Sequence, residues 1–329
     1  MKIRHIILLI ILLFIVLGIG LLFHFSFSLC HGHSKPLLIG TCDWPGYEPL
    51  HLAMEKKYIS KSSARIIEYP TSDGTILGLR NDVIDIGALT LDEAIDLKST
   101  GVDLKIILVM DISNGGDAII AKPGIKKIID LKGKRVGVET TTIGKYFLAM
   151  ALKTAGLKLS DITIVHVPVT EGIRAFKNNK IDAIATYEPV KSKLIKLGYI
   201  KIFDSKKIPN TILDVLAVKS ELLKTRKAEL KNILAGWFMA LDNIKNSPDE
   251  SISIMANQEN IPVNMFKISL EGIILPDLAK NLSLFSRTPS KLFLIAQQIK
   301  KFLLEEKLIK KDPNLSCLFN DSILMEMKR

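Results

Sequence analysis

The sequence is poor in cysteine and lacks the compact motifs of many enzymes and metal-binding proteins. Its 329 residues include only Cys30, Cys42 and Cys317, which lie far apart. It contains no zinc-site spacing of Cys and His, no phosphate-binding loop and no nucleophile–base motif. His31 and His33 beside Cys30 are more typical of a tethering linker than of a metal site. The sequence therefore predicts no metal, no cofactor and no catalytic residues.

Arginine-rich blocks interleaved with aromatic residues are also missing. The net charge of +11 comes from 45 Lys and Arg against 34 Asp and Glu. These basic residues are spread along the chain, in pairs such as Lys56-Lys57 and Lys300-Lys301. A nucleic-acid surface would gather them on one patch. The distribution favours solvated faces near an anionic membrane, so we expect no nucleic-acid partner.

A long apolar run lies at the N-terminus, where Lys2 and Arg4 precede the stretch Ile6–Phe23. A charged start and an apolar core are typical of export, but the core exceeds the ~7–15 residues of a signal peptide and approaches the ~20 of a spanning helix. Lipidation at Cys30 is an alternative, although the residue before it is not the usual small one. We expect residues 1–35 to form a signal or anchor segment with a linker. The rest of the chain should lie on the periplasmic side of a bacterial inner membrane, anchored or lipidated, or be exported.

The remaining two cysteines leave two alternatives open. If Cys30 carries lipid, Cys42 and Cys317 can pair as a disulfide in an oxidising compartment. They can equally be two unrelated buried thiols.

Beyond the linker, short apolar segments alternate with helical ones, which predicts parallel strands joined by right-handed crossovers. The predicted strands include Leu37–Cys42, Ala64–Tyr69, Val83–Ala88, Leu104–Met110, Arg135–Val138, Ile162–Val167 and Ile181–Thr186. The fold class is therefore α/β.

The alternation occurs in two similar copies. Pro70–Gly74 corresponds to Pro168–Gly172, and Asn81–Ala88 corresponds to Asn178–Ala185. Two copies of this size indicate two similar α/β lobes rather than a solenoid.

Two similar extended segments, Asp117–Lys122 and Asp214–Lys219, stand on either side of the second copy. We interpret them as the strands by which the chain crosses between the lobes and returns. Residues 36–118 and 215–329 would then form lobe I, and residues 119–214 lobe II. The segments after Ser220 are expected to be helical, with an irregular tail from Lys310.

Ligands in open α/β sheets bind at the carboxyl ends of the strands. The predicted ligand-binding residues follow predicted strands at that edge: Trp44, Tyr47, Ser72, Asp73, Leu89, Thr90, Asn114, Gly115, Thr140, Thr141, Thr142, Glu171, Tyr187 and Glu188. We expect Trp44 and Tyr187 to sandwich a flat or apolar part of the ligand.

Thr140, Thr141 and Thr142 stand where a helix begins, so their hydroxyls and the free N–H groups are suited to an anion or polar head group. Plain capping of the helix by one threonine is the alternative.

Four motifs, taken together, resemble the substrate-binding proteins of ABC importers: Trp44–Leu50, Asp82–Ile86, Leu131–Val138 and Tyr187–Pro189. The most similar subgroup, called NMT1/THI5-like, handles nitrate, sulfonates, taurine and thiamine-pyrimidine precursors. The resemblance runs from about residue 37 to the helices after residue 220. It implies a type II periplasmic-binding-protein fold, a venus flytrap of two Rossmann-like lobes joined by two hinge strands. It also implies that a monomer captures a small polar or anionic organic molecule and delivers it to the transmembrane subunits of an ABC permease.

Two other functions fit the same fold. A thiamine-pyrimidine synthase would need a cysteine-rich iron-binding segment, which this sequence lacks, and its exported N-terminus argues against a cytosolic enzyme. A membrane-tethered ligand sensor would need a signalling module, and none follows Lys310. The identity of the ligand stays open, because carboxylates suit an amine or a protonated pyrimidine whereas the threonines suit a sulfonate or carboxylate.

Overall fold

The computed structural model describes residues 35–286 and 288–328. The predicted anchor and the lipidation site Cys30 lie outside these residues. Within them, no helix is both long and apolar enough to cross a membrane.

Eleven strands are present in the described residues. They are β1 (Leu37–Cys42), β2 (Ala64–Tyr69), β3 (Ile86–Thr90), β4 (Leu104–Ser113), β5 (Ala118–Ala121), β6 (Arg135–Val138), β7 (Thr163–His166), β8 (Ala183–Thr186), β9 (Ile200–Asp204), β10 (Leu213–Lys219) and β11 (Ile273–Ile274). They form a six-stranded sheet in the order β11-β4-β10-β3-β1-β2 and a five-stranded sheet in the order β7-β6-β8-β5-β9. The prediction of a mixed α/β fold with two sheets is confirmed.

Helices connect most of the strands. They are α1 (Glu48–Glu55), α2 (Ser72–Arg80), α3 (Leu91–Ser99), α4 (Thr142–Lys153), α5 (Gly172–Lys177), α6 (Val190–Lys196), α7 (Leu222–Thr225), α8 (Lys227–Asn246), α9 (Pro248–Gln258), α10 (Val263–Glu271), α11 (Leu278–Phe285), α12 (Lys291–Glu305) and α13 (Ser322–Met327). Single 3₁₀ turns occur at Ile128–Leu131, Leu159–Asp161, Val169–Glu171 and Ser205–Lys207.

Parallel pairing holds for the repeated units, as predicted. Strand β1 is parallel to β2 and β3, and β6 is parallel to β7 and β8. Each sheet also contains a strand of opposite direction: β10 is antiparallel to β3 and β4, and β5 is antiparallel to β8 and β9. These exceptions arise because β5 and β10 each directly follow a passage of the chain from one sheet to the other.

The chain leaves the first sheet after Ser113 and returns to it at Leu213. The two crossing segments run side by side, since the Ser113 N–H donates to the Ile212 carbonyl at 3.1 Å and the Ser205 N–H donates to the Asp117 carbonyl at 3.0 Å. The segments predicted to cross, Asp117–Lys122 and Asp214–Lys219, correspond to β5 and β10, which begin where the two crossings end. The lobe boundaries of residues 36–118 plus 215–329 and 119–214 stay a prediction.

The C-terminal segment is irregular over residues 310–321, as predicted, but the expectation of an irregular tail is wrong for its end, where α13 forms. Leu315 and Leu318 are buried, and Ile106 of β4 exchanges backbone hydrogen bonds with this segment through the Leu318 carbonyl and the Asn320 N–H. Helix α13 follows and packs against α8 and α11. The segment therefore covers the part of β4 that the short β11 leaves unpaired.

Candidate functional site

A cavity of about 40 Å³ lies where the two sheets present the same kind of edge. Cys42 and Thr90 end the parallel strands β1 and β3, while Glu139 and Tyr187 directly follow β6 and β8. The lining residues are Cys42, Trp44, Tyr47, Ser72, Thr90, Glu93, Asp117, Glu139, Ile143, Tyr187, Ile212 and Asp214. Both sheets thus contribute to one cavity.

Trp44 and Tyr187 face each other across the cavity. Their ring centroids are 5.9 Å apart and their planes cross at 82°, which is an edge-to-face contact. Trp44 is buried and its indole N–H donates to Oδ2 of Asp111 at 3.0 Å. The Tyr187 hydroxyl donates to Oε1 of Glu139 at 3.4 Å. In this conformation the two rings touch and form a continuous aromatic wall, and the sandwich of a ligand between them stays a prediction.

Behind this wall lies a buried hydrogen-bonded group of carboxyls. The Tyr47 hydroxyl donates to Oδ1 of Asp214, which lies opposite Asp111 on the neighbouring strand. Burial raises the pKa of Asp111 to about 7, and burial together with the charge of Asp111 raises the pKa of Asp214 well above its usual range. These carboxyls therefore hold Trp44 and Tyr47 in place as walls of the cavity.

Glu93 lines the cavity while also capping a helix. It is the third residue of α3, and its Oε2 accepts a hydrogen bond from the Thr90 N–H at 3.1 Å. Its Oε1 accepts from the Ser72 hydroxyl at 2.7 Å. Burial raises the pKa of this carboxyl, although both hydroxyl and backbone donors oppose the shift. Both oxygens of Glu93 thus have partners within the protein.

Asp117 and Glu139 line the cavity and also a smaller, deeper one of about 10 Å³. Oδ2 of Asp117 and the hydroxyl oxygen of Thr186 are buried there without a hydrogen-bond partner. Burial raises the pKa of Asp117 to about 6 and that of Glu139 to about 7. Unpartnered buried polar atoms are costly, so the deep end is suited to a ligand that supplies donors.

The three threonines at the start of α4 have separate positions. Thr141 precedes the helix and is buried, with a hydroxyl that has no partner, and Thr142 is the first helical residue. Thr140 is exposed, and its hydroxyl donates to Oδ2 of Asp73 at 3.1 Å. Since Asp73 lies on α2 beside the first sheet, this bond joins the two sides of the cleft mouth. Thr140, Thr141, Thr142 and Asp73 flank the cavity without lining it.

Three predicted residues lie in structural positions. Leu89 is a fully buried core residue of β3. Asn114 and Gly115 lie in the first crossing segment, where the Asn114 N–H donates to the Gly272 carbonyl at 2.8 Å and the Gly115 N–H donates to the Ser205 hydroxyl at 2.6 Å. They position the crossing and do not line the cavity.

Two predicted carboxylates are occupied by ion pairs instead. Glu171 pairs with Arg174, which lies three residues further along the chain. Glu188 is fully buried and pairs with Nζ of Lys191 at 2.6 Å, and Lys191 also donates to the Gly115 carbonyl at 2.8 Å. Neither lines the cavity, so of the predicted residues the structure brings together only Trp44, Tyr47, Ser72, Thr90 and Tyr187.

Sequence reasoning missed seven lining residues: Cys42, Glu93, Asp117, Glu139, Ile143, Ile212 and Asp214. A signal was available for the acids. Glu139 directly follows a strand, Asp117 and Asp214 begin otherwise apolar segments, and Glu93 stands three residues after the capping Thr90.

The two cysteines in the described part of the chain do not form a disulfide with each other. Cys42 is buried at the cavity and Cys317 is exposed, and both are free thiols. Among the residues that the structure describes, no three or more His, Cys, Asp or Glu side chains are grouped so as to hold a metal ion.

Comparisons with known proteins identify a family and several relatives of this chain. The sequence matches the family described as NMT1/THI5 like over residues 49–251, which is more than half of the chain. A taurine-binding periplasmic protein of Escherichia coli is 24% identical over 65% of this chain and 71% of its own. Another Escherichia coli protein, named for the binding of aliphatic sulfonates, is 25% identical over 64% of this chain and 67% of its own. A protein of Brucella abortus named as a binding protein is 28% identical, and the chain spans 45% of its length.

Solved structures share the fold. The alkanesulfonate-binding protein of Xanthomonas axonopodis pv. citri, bound to MOPS, has a TM-score of 0.75 at 16% identity and is matched over its whole length by 88% of this chain. A desulfurization enzyme has a TM-score of 0.67 at 14% identity, covering 90% of this chain and 100% of its own. These likenesses establish the two-lobe architecture of periplasmic binding proteins. By its sequence match, the chain belongs to the NMT1/THI5 like family.

Proposed function

We propose that this protein is the solute-binding component of an ABC importer. It captures a small polar organic molecule in the cavity between the two sheets and delivers it to the transmembrane subunits of a permease. The observation that carries the proposal is the cavity itself, because both sheets line it at the edge where parallel strands end. The names of the relatives, which refer to taurine and aliphatic sulfonates, support a solute of similar size.

Contacts across the cleft support capture by closure. The Trp44–Tyr187 ring contact and the Thr140–Asp73 hydrogen bond each join the two sides. A ligand that touches both lobes stabilises the closed form by its difference in affinity between the closed and open states. We therefore expect the empty protein to open readily and the loaded protein to stay closed.

Native mass spectrometry tests the proposal directly. Protein purified without refolding is expected to carry a small molecule whose mass adds to that of the chain. The released compound should raise the unfolding temperature of protein that has been stripped of it, since a ligand that binds only the folded state stabilises it. Absence of any bound molecule, together with no thermal shift from the solutes named for the relatives, would contradict the proposal.

An enzymatic function on the same fold is the competing candidate, because a desulfurization enzyme shares the architecture and Cys42 lines the cavity. A nucleophilic cysteine needs a lowered pKa. Burial, reinforced by Glu93 and Glu139, instead raises the pKa of Cys42 well above its usual range. We expect no consumption of biphenyl-2-sulfinic acid, the compound bound to that enzyme, when it is incubated with this protein and followed by chromatography.

We also propose that the N-terminal segment holds the protein at the periplasmic face of the inner membrane, through a spanning helix or lipid on Cys30. The protein would act there as a monomer, with lobe I formed by residues 36–118 plus 215–329 and lobe II by residues 119–214. Fractionation of wild type and Cys30→Ala separates the two anchors, because only the lipid form is released by the substitution. Recovery of wild type in the soluble periplasmic fraction would argue against both.

A further inference from the structure

The charge of the cavity wall is of one sign. Four of the lining residues are acids, namely Glu93, Asp117, Glu139 and Asp214, and among the described residues that line the cavity none is Lys, Arg or His. A cavity that held an anion such as a sulfonate would be expected to contain a cation or a dense set of donors. The wall therefore differs in charge from what the names of the relatives lead one to expect.

Two of the four acids have their partners within the protein. Both oxygens of Glu93 accept hydrogen bonds, from the Ser72 hydroxyl and the Thr90 N–H. Asp214 accepts from the Tyr47 hydroxyl and lies opposite Asp111 on the neighbouring strand. These two acids are thus bound into the wall, which leaves Asp117 and Glu139 to meet a ligand.

Asp117 is nine-tenths buried, and its Oδ2 has no hydrogen-bond partner. The groups around its carboxyl are the Ser113 hydroxyl and the charges of Lys191 and Glu188. Lys191 has its direct partners elsewhere, because its ammonium group lies 2.6 Å from Oε1 of Glu188 and donates to the Gly115 carbonyl.

Glu139 is 4% exposed and has weak partners. Its Oε1 accepts long hydrogen bonds from the Val169 N–H at 3.3 Å and the Tyr187 hydroxyl at 3.4 Å. The charged groups that face it are Glu93 and Asp73, and both are acids. A negative charge on Glu139, like that on Asp117, is therefore poorly compensated by the groups around it at the deep end of the cavity.

From this arrangement we infer that the cavity selects an organic cation whose N–H donors meet Asp117 and Glu139; the inference rests on the solute-binding function proposed above. An ammonium or amidinium group would supply both the missing charge and the missing donors. The faces of Trp44 and Tyr187 favour a cation in addition, through the negative potential of the rings. A ligand that carries only a sulfonate would instead bring a third negative charge beside two buried carboxyls.

Matched compounds test the sign of the charge on wild-type protein stripped of bound solute. Benzamidine and benzenesulfonate share a ring and differ in charge, while taurine differs from ethanesulfonate by its ammonium group. We expect benzamidine to bind at least about tenfold more tightly than benzenesulfonate, as a charge-assisted hydrogen bond at a buried site would produce. Taurine should bind more tightly than ethanesulfonate by a similar factor.

The pH dependence gives an independent readout that needs no variant. Burial raises the pKa of Asp117 to about 6 and of Glu139 to about 7, so both are partly protonated in the empty protein near neutrality. A cation requires the ionised forms, and its binding must strengthen from about pH 5 to about pH 8 with release of protons. An anion held by protonated carboxyls would show the opposite slope and take up protons. Calorimetry in buffers of different ionisation enthalpy counts those protons.

Conservative variants identify the residues. Glu139→Gln and Asp117→Asn keep the shape of each side chain, and each should weaken benzamidine by at least about tenfold and reduce the slope with pH. Glu326→Gln is the control, since Glu326 lies on α13 in an exposed ion pair with Lys227. If benzenesulfonate bound more tightly than benzamidine and ethanesulfonate more tightly than taurine, with affinity rising at low pH, the inference would be overturned while the solute-binding function stayed intact. No binding of any of the four compounds and no co-purified molecule would contradict both.

Discussion

Asp111 and Asp214 lie opposite each other on neighbouring strands, and burial raises the pKa of both carboxyls. The pair lies at the base of the loop that carries Trp44 and Tyr47, and each aromatic side chain donates to one of the two acids. Gly46 is required in this loop, because a Cβ atom there would lie 2.0 Å from Oδ2 of Asp111. The acids thus fix the aromatic wall to the first sheet.

The first prediction concerns stability against pH. Asp111 has a pKa of about 7 in the folded protein against 3.8 as its ordinary value, so between these values the folded state binds more protons than the unfolded state. Its contribution to stability is therefore greatest below about pH 4 and is lost as the pH rises through about 7. Asp111→Asn keeps an acceptor for Trp44 but cannot ionise. Between about pH 5 and pH 8, the ionisation of Asp111 should lower the free energy of unfolding of wild type. Relative to Asp111→Asn, this loss should be on the order of 2–3 kcal/mol.

Urea unfolding at the two pH values measures this difference. Glu326→Gln serves as the control, since it removes a carboxylate from the protein surface. If the free energy of unfolding changed equally in wild type and Asp111→Asn between the two pH values, Asp111 would be ionised in the folded state at both.

The second prediction separates the two tryptophans. Trp44 lines the cavity, whereas Trp237 is fully buried in α8 and its indole N–H has no hydrogen-bond partner. Trp44→Ala removes a ring from the wall, and the affinity for the co-purified ligand should fall at least about tenfold, or ~1.4 kcal/mol. Trp237→Phe loses no hydrogen bond and should leave the affinity unchanged. Calorimetry measures both, and wild-type affinity in a folded Trp44→Ala variant would place Trp44 outside the binding surface.

The third prediction concerns the ion pair of Glu188 and Lys191. The side chains are 0% and 9% exposed, and the ammonium nitrogen lies 2.6 Å from the carboxylate. Lys191→Met leaves a buried carboxylate without its cation and should lower the free energy of unfolding by about 3–5 kcal/mol. The double variant Glu188→Gln with Lys191→Met should recover part of that loss, because no charge then stays unpaired.

Lys227→Ala provides a matched comparison, since its partner Glu326 is at the surface and both side chains are about 40% exposed. Exposed pairs contribute little to stability, so Lys227→Ala should cost much less than Lys191→Met. Equal losses in Lys191→Met and Lys227→Ala would mean that the buried pair is not held together in solution.

Periodicity and turn residues were sufficient to predict most of the fold. β1, β2 and β6 begin and end at the predicted residues, because each contains aliphatic residues and is bounded by polar or turn residues. β9 and α6 were missed for physical reasons. β9 carries the exposed Lys201 among its five residues, and the seven-residue α6 is too short for its apolar positions to show a period.

The candidate site was harder to predict, because the partner of each polar group depends on tertiary contacts. Trp44 and Tyr187 follow parallel strands. The rule that ligands bind at the carboxyl ends of such strands was sufficient to predict that both line the cavity. Glu188 follows a strand in the same way, yet Lys191 one helical turn later neutralises it. Asp117 stands at the start of an apolar strand, and only the packing of both sheets leaves its Oδ2 without a donor.

The last prediction concerns the two free thiols. Cys317 is exposed, whereas Cys42 is 7% exposed and its pKa is raised by burial and by the charges of nearby acids. Because the thiolate is the reactive form, iodoacetamide at about pH 8 should label Cys317 at least about a hundredfold faster than Cys42 in the folded protein. Peptide mapping by mass spectrometry measures both rates, and labelling in urea should make them equal. Rapid labelling of Cys42 in the folded state would instead reveal a thiolate in the cavity, and the case for an enzyme would then be stronger than the case for a binding protein.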